Sequence, residues 1–307
     1  MTTHPRSWMV WIPLFVALLP GCVHKMVANM TGSIFHRASP ALEGQDDYAF
    51  AGEAMPMAVV QIDGLLEVVP DNETLLIDAA KGYAGYALGF IEDEAEAAED
   101  RGDLEENDRQ RARARAMYLR ARERALHWLR LRDDGIDRAI ARGPDELERY
   151  LRRAFTYKKD APGLFWAGFA WGLAINVSLD DASMVADLAL ARALVERSVA
   201  LDDDYYFASG LSFLGYADSL IAEAVGGHPE RGREFFERAL TKTNRHVFIV
   251  QFFYARSYAV QTQNRELYEQ LLREVIDGEA SDPDARLLNA IAKRRAARWM
   301  ARGSQLF

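Results

Sequence analysis

Side chains that could carry out catalysis or bind a metal are few and scattered along the chain. The histidines show no pair at the helical spacing of a metal site; they are His4, His24, His36, His127, His228 and His246. Ser212 lies between Gly210 and Gly215, a spacing one residue longer than the nucleophile elbow of hydrolases, and no strand is predicted before it. Phosphate-binding and dinucleotide-binding glycine motifs are absent from the sequence. The sequence therefore predicts a protein that is not an enzyme and has no cofactor or metal.

Cys22 is the residue whose surroundings indicate a specific covalent chemistry. It is the single cysteine of the chain, which excludes an intrachain disulfide. A short polar region and an apolar run over 8–19 precede it, and this run is too short to cross a bilayer. The sequence Leu19-x-Gly21-Cys22 resembles the lipobox of bacterial lipoproteins. We interpret 1–21 as a cleaved lipoprotein signal peptide and Cys22 as the lipidated residue. The alternatives are an ordinary secreted protein and a cytosolic protein with an apolar N-terminus.

Lipidation at this position predicts a stable membrane anchor, because several acyl chains together bind a bilayer far better than one. The protein would then face the periplasm. Val23, rather than an aspartate, follows the cysteine, and by analogy with enterobacterial sorting this slightly favours the outer membrane. The formal net charge of -9 argues against nucleic acid as a partner, since phosphates call for a basic surface.

Aromatic side chains crowd one strongly apolar segment, which predicts a helix over 164–177. Trp166 and Phe169 are three positions apart and share a face, whereas Trp171 lies elsewhere on the helix. Asn176, near its end, is either a cap or a polar group in a groove. A helix that is apolar nearly all round is typical of a core. The functional alternative is that one face lines an apolar groove.

A second helix, predicted within 70–91, has Asn72 as its N-cap. Each glycine inside it lowers helix stability by about 1 kcal/mol relative to alanine, and there are three: Gly82, Gly85 and Gly89. They indicate a close approach by another helix, which is the simpler interpretation, or by a ligand. Taken together, the two helices give the candidate ligand-binding residues Tyr83, Tyr86, Phe90, Trp166, Phe169, Trp171 and Asn176.

The remaining elements are predicted to be helical, and no alternating strand pattern with hairpin signals occurs. The predicted class is all-α. Residues 22–55 contain Gly32, Pro40, Gly44 and Gly52 among mixed polar residues, which predicts a lipidated tether and an irregular segment. A helical domain is expected over 56–307. Within it, an acidic run over 92–108 precedes an arginine-rich run over 109–132, which predicts either two antiparallel helices of opposite charge or a solvated helix face. An anion-binding surface is the functional alternative.

A weak repeat runs through the second half of the chain. A small residue followed three positions later by an aromatic residue occurs at Gly168, Gly210 and Ala255, which are 42 and 45 positions apart. This spacing exceeds the roughly 34 residues of a tetratricopeptide repeat. We therefore predict an α-α superhelix of degenerate tetratricopeptide-like helical hairpins that stack into one curved array.

Stretches of helix-packing sequence carry a family resemblance; they lie at 64–72, 75–93, 171–176 and 287–299. Together with the lipobox, they make the chain similar to the T component of tripartite ATP-independent periplasmic (TRAP) transporters, a lipoprotein of cryptic tetratricopeptide repeats. The resemblance implies a homotrimer with a central opening, apolar clefts, and contact with the transporter's periplasmic solute-binding subunit. It supplies no catalytic residues.

Two functions fit these observations. The first is a lipid-anchored accessory protein of a TRAP-type transporter that docks the solute-binding subunit and holds or passes a small apolar or amphipathic organic acid. The alternative is an envelope scaffold lipoprotein that binds peptides or proteins on its concave face.

Overall fold

A computed structural model describes residues 20–220 and 227–307, and within these ranges the chain is all-α, without a strand. Residues 1–19 of the predicted signal peptide lie outside the described residues. The helices, in chain order, are α1 (Pro20–Glu43), α2 (Tyr48–Leu66), α3 (Glu73–Tyr86), α4 (Glu92–Asp100), α5 (Leu104–Arg132), α6 (Ile136–Ala141), α7 (Pro144–Ala154), α8 (Ala161–Asn176), α9 (Ala182–Ala186), α10 (Leu188–Leu201), α11 (Tyr205–Ser219), α12 (Pro229–Lys242), α13 (Phe248–Tyr254), α14 (Arg265–Asp277) and α15 (Arg286–Leu306).

The prediction of an irregular segment over 22–55 is wrong, because α1 and the start of α2 occupy it. Packing against α3 overrides the poor helix propensity of this segment. Gly32 is buried against Leu75, so closely that an added Cβ would lie 2.9 Å from the Leu75 Cδ1 atom. The His36 imidazole pairs with the Asp78 carboxylate at 3.0 Å. Cys22 lies in the first turn of α1, and its lipidation stays a prediction.

The helix predicted within 70–91 is confirmed as α3, and Asn72 caps it by accepting a hydrogen bond from the Leu75 amide at 2.9 Å. The helix continues into α4 through a π-helical turn at Ala87–Ile91. A π turn inserts one extra residue, which changes the direction in which the following side chains point. The glycines approach other helices closely, as the simpler interpretation predicts: Gly82 meets Val59 of α2, and Gly89 meets Ile291 of α15.

Helix α8 forms the middle of the fold, packed between α5 and α10. Almost all of its residues are buried, as its nearly uniform apolar sequence predicts. At Gly168, α8 comes so close to α10 that an added Cβ would lie 2.6 Å from the Ala191 carbonyl oxygen. Gly210 of α11 instead approaches Val199 of α10, and Phe213 fills the space over Gly172 of α8. The tetratricopeptide likeness of these pairs stays a prediction.

We expect Gly168→Ala to lower the free energy of unfolding by about 1–3 kcal/mol, because α8 and α10 must move apart to accept the new methyl group. Urea denaturation measures this change. Gly64→Ala is the matched control, since an added Cβ in the last turn of α2 would meet no atom within 4 Å. That variant should gain up to about 1 kcal/mol from helix propensity. Equal effects at both positions would contradict the close approach of α8 and α10.

The first part of the acidic run forms α4, and most of the ion pairs of α4 run to α15 rather than to the arginine-rich α5, while Glu96 also pairs with Arg256. Asp93 pairs with Arg294 and Arg298, and Asp100 pairs with Arg302. The arginines of α5 pair with carboxylates elsewhere, such as Asp63 and Asp181. The prediction that the two charged runs pair with each other is therefore wrong for α4, because its carboxylates face α15. At the start of α5, Glu105 and Glu106 of the acidic run do pair with Arg109.

Arg295 is the buried centre of the contact between α4 and α15. Its guanidinium donates to Glu96 at 2.5 Å, to Glu92 at 3.1 Å and to the Leu88 carbonyl at 3.1 Å. Its exposed fraction is 0%. The Tyr118 hydroxyl also donates to Glu92. This cluster joins α15 to α4 and α5.

Candidate functional site

A cavity of about 280 Å³ lies between α1, α2, α3, α8 and the helices α11, α13 and α15. Its walls are predominantly apolar. Residues that form them include Phe35 and Leu42 from α1, Met55 and Ile62 from α2, and Phe253 from α13. We call it the main cavity. Apolar walls with a few polar groups are typical of sites for small molecules.

Two of the predicted ligand-binding residues line the main cavity, namely Trp166 and Phe169. They lie on one face of α8, as their spacing predicts, with ring centroids 5.8 Å apart. The Trp166 indole donates to the Tyr205 hydroxyl at 2.9 Å, which fixes the ring at the wall. Gly82 and Gly85 also line the cavity, so the glycine face of α3 both packs against α2 and borders the space that a ligand could occupy.

Four predicted residues lie outside the walls of the main cavity and of the second cavity described below: Tyr83, Tyr86, Phe90 and Trp171. The Tyr83 hydroxyl donates to Asp63, and Tyr86 accepts from Arg113 at 3.0 Å. Phe90 packs against Tyr48, and Trp171 packs under the Arg122 guanidinium. Each of the four rings therefore packs against another side chain of the protein. The role of these four residues in ligand binding stays a prediction, and their positions outside the cavity walls do not support it.

Asn176 lines a second cavity of about 340 Å³, between α8, α9, α10 and α11. Its side-chain oxygen accepts from the Tyr216 hydroxyl at 3.1 Å. Ser212 and Phe253 belong to the walls of both cavities, so these two residues stand between them. The Ser212 hydroxyl is buried and has no hydrogen-bond partner among the described residues.

An unusual turn brings two further aromatic rings to the main cavity. Tyr206, Phe207 and Ala208 have φ angles of 46°, 58° and 54° at the start of α11, in the left-handed region that costs L-residues about 1–2 kcal/mol each. Tyr206 and Phe207 line the cavity. Strained backbone of this kind concentrates at functional sites, so this turn supports a role for the cavity.

The polar part of the main cavity is a cluster of charged groups at the side formed by α1 and α3. Lys81 pairs with Glu43, the last residue of α1, at 2.5 Å. Beside them, the Asp78 carboxylate contacts the His36 imidazole at 3.0 Å. Burial raises the pKa of Asp78, against the opposing effect of His36 and Lys81. Among the described residues of the walls, Lys81 is the one cation, accompanied by the carboxylates of Glu43, Asp78 and Asp284.

The two cavities differ in the charged side chains that they present to a ligand. The second cavity has Glu92 as the charged residue of its described walls, and this carboxylate is already bound by Arg295 and Tyr118, so these walls offer no cation to an anion. The main cavity offers Lys81 to an anion, but Lys81 already has an internal carboxylate partner. An organic acid therefore fits the main cavity better than the second one.

Sequence reasoning missed the contribution of α1 and α2 to these walls, because an irregular segment is not expected to form a cavity. A signal was present: Phe35, Ser39 and Leu42 recur at helical spacing and all three line the cavity. Within the described residues, no group of three or more histidine, cysteine, aspartate or glutamate side chains is placed to hold a metal ion. No described helix combines the length and the apolar character needed to cross a bilayer.

Comparison with known proteins adds a family match and a relative. A family model described as "TRAP transporter T-component" matches residues 44–307. An uncharacterized protein of Treponema pallidum (strain Nichols) is 24% identical over 303 residues, which covers 92% of each chain. The match spans α2 to α15 and so includes most of the walls of both cavities.

Proposed function

Because the chain belongs to the TRAP transporter T-component family, we propose that it is a non-catalytic accessory protein of a TRAP-type transporter that holds or passes a small apolar or amphipathic organic acid in the main cavity. The observation that carries this proposal is the apolar cavity whose described walls contain a single cation, Lys81. Its aromatic walls would take up the apolar part of the ligand, and Lys81 would take up the acid group.

The proposal also covers the setting of the protein. It would be anchored through a lipid on Cys22 and face the periplasm. The outer membrane is slightly favoured over the inner membrane as the one that carries the anchor. It would form a homotrimer with a central opening and dock the periplasmic solute-binding subunit of the transporter. Family membership supports the transporter association, and the lipobox sequence supports the anchor.

Binding of an acid requires an exchange of partners at Lys81. An acid that entered beside an intact Glu43–Lys81 pair would add a negative charge to walls that already hold Asp78 and Asp284. If the ligand carboxylate replaces the Glu43 carboxylate at Lys81, the charge next to the ammonium group stays constant. Glu43 then acts as an internal stand-in for the ligand while the cavity is empty.

This exchange predicts opposite effects for two substitutions. Lys81→Gln should lower the affinity for decanoate about tenfold or more, because a charge-assisted hydrogen bond contributes about 1.5–3 kcal/mol. Glu43→Gln should raise the affinity, because Lys81 no longer has an internal carboxylate partner. Isothermal titration calorimetry with decanoate measures both.

Decanol serves as the control probe, since it shares the alkyl chain and lacks the charge. Its affinity should be the same in both variants and in the unaltered protein. Decanoate affinity that is unchanged in Lys81→Gln would exclude Lys81 as the acid-binding group. Affinity that rises in Lys81→Gln and falls in Glu43→Gln would indicate a cationic ligand instead.

The docking part of the proposal needs a separate experiment. Mild crosslinking of the tagged protein in its native host should recover the solute-binding subunit of a TRAP transporter, identified by mass spectrometry. Recovery of no transporter component would count against docking without affecting the cavity experiments. Sedimentation analysis of the purified protein tests the trimer.

A further inference from the structure

Helix α1 exposes a row of large apolar side chains to solvent. The exposed fraction ranges from 38% at Val23 to 65% at Ile34, and the row consists of Val23, Met26, Val27, Met30 and Ile34. Large apolar patches on soluble proteins usually mark a surface that another molecule covers. We call this row the α1 stripe.

The stripe lies on the side of α1 that faces away from the protein. At about 100° per residue, its five members fall within an arc of roughly 100°. Ala28 and Gly32, which pack against the rest of the fold, lie on the opposite side. No described residue of this chain therefore covers the stripe.

The charges of α1 suit an anionic surface. Arg37 is exposed on the same side of the helix as the stripe, Lys25 is exposed on the opposite side, and the helix contains no acidic residue before Glu43. The positive net charge of α1 before Glu43 contrasts with the formal net charge of the whole chain, which is -9. Apolar side chains combined with basic residues are typical of helices that lie in the interface of a membrane containing anionic lipids.

The position of the stripe brings it to the bilayer. It begins one residue after Cys22, and the last member, Ile34, is about 18 Å further along the helix at 1.5 Å per residue. Acyl chains on Cys22, which are part of the proposed function, would hold this length of helix next to the lipid head groups. A short tether of this kind gives a high effective concentration of one surface at the other.

We propose that α1 lies along the membrane surface with the α1 stripe inserted at the boundary between head groups and acyl chains. This inference rests on the proposed lipid anchor and goes beyond it, since an anchor alone would allow the protein to hang freely from the bilayer. The same helix lines the main cavity with Phe35 and Leu42 on its other side. The cavity would then lie within about one helix diameter, 10 Å, of the membrane.

Helix α2 provides a matched control surface. Phe50, Met57 and Val60 are exposed to a similar degree, between 57% and 63%. The exposed Glu53 lies among them on the same side of the helix, so this patch combines apolar residues with a negative charge and does not suit anionic lipid.

Fluorescence quenching by the bilayer tests the proposal. An environment-sensitive fluorescent amino acid replaces Met30 in one variant and Val60 in the control. Each protein is purified with its native modification and bound to vesicles of phosphatidylcholine and phosphatidylglycerol that carry nitroxide-labelled acyl chains. We expect the probe at position 30 to lose about half of its emission or more, and the probe at position 60 to lose little.

Two results would overturn the inference. One is vesicle-bound protein with equal, weak quenching at both positions, which would mean that α1 stays in water. The other is a probe at position 30 that is shielded from aqueous iodide but not quenched by the lipid, which would indicate that a second copy of the chain covers the stripe. Mass spectrometry of Cys22 tests the anchor separately. An unmodified Cys22 would refute the lipid anchor of the proposed function. Quenching of the probe at position 30 by the same vesicles would still show whether α1 inserts into the bilayer.

Discussion

Replacing Arg295 with methionine should lower the free energy of unfolding by about 3–5 kcal/mol. The side chain is fully buried, and its guanidinium is the hydrogen-bonding partner of both Glu92 and Glu96. Methionine fills much of the space, but the buried carboxylates of Glu92 and Glu96 then lack the guanidinium that neutralised them. Arg256 remains 3.3 Å from Glu96 and compensates only in part. Urea denaturation at pH 7 measures the change.

The matched control is Arg109→Met in α5. Arg109 pairs with Glu105 and Glu106 on the surface of the helix, where all three side chains contact solvent. Exposed pairs of this kind contribute about 0–1 kcal/mol. A loss at Arg295 no larger than that at Arg109 would show that the buried cluster is not a stabilising centre of the fold.

The pH dependence of the Arg295→Met effect follows from Glu96. Burial alone would raise the pKa of this carboxyl group, but Arg295 and Arg256 outweigh burial and lower it from 4.5 to about 2. A carboxyl group with a lowered pKa in the folded state stabilises the protein above its unfolded pKa and loses that contribution as the pH falls. The difference between the unaltered protein and Arg295→Met should therefore shrink between pH 4.5 and pH 2.

The residues of this cluster show why the sequence predicts only part of the fold. Glu96 and Arg295 are 199 positions apart, and no local pattern pairs them. The sequence instead suggests pairing of the acidic run with its arginine-rich neighbour. The π turn at Ala87–Ile91, which precedes the acidic face of α4, has no signature in the sequence that periodicity can detect.

Local patterns predicted the elements that depend on neighbouring residues alone. Asn72 caps α3 because its side chain reaches an amide three positions later. Trp166 and Phe169 share a wall because helical geometry fixes their relative direction. The α1 helix, by contrast, depends on burial of Gly32 against Leu75 from a distant segment. The left-handed turn at Tyr206 likewise has no glycine to mark it.

Filling the main cavity should abolish ligand binding while leaving the fold intact. Ala58 lies on the face of α2 that lines the cavity, and Ala58→Trp would place an indole in the space that the ligand needs. We expect the affinity for decanoate to fall at least about 100-fold, which corresponds to 2.7 kcal/mol or more. The affinity for decanol should fall equally, in contrast to the Lys81 variant, because exclusion by volume does not depend on charge. Isothermal titration calorimetry measures both affinities.

Ala49→Trp is the control for this substitution. It introduces the same side chain on the same helix, at an exposed position outside the cavity walls, and should leave binding unchanged. Decanoate binding that survives in Ala58→Trp would place the ligand elsewhere and refute the main cavity as the site. The same variant separates the two parts of the proposed function. If the solute-binding subunit is still recovered by crosslinking when the cavity is filled, docking does not require a bound ligand.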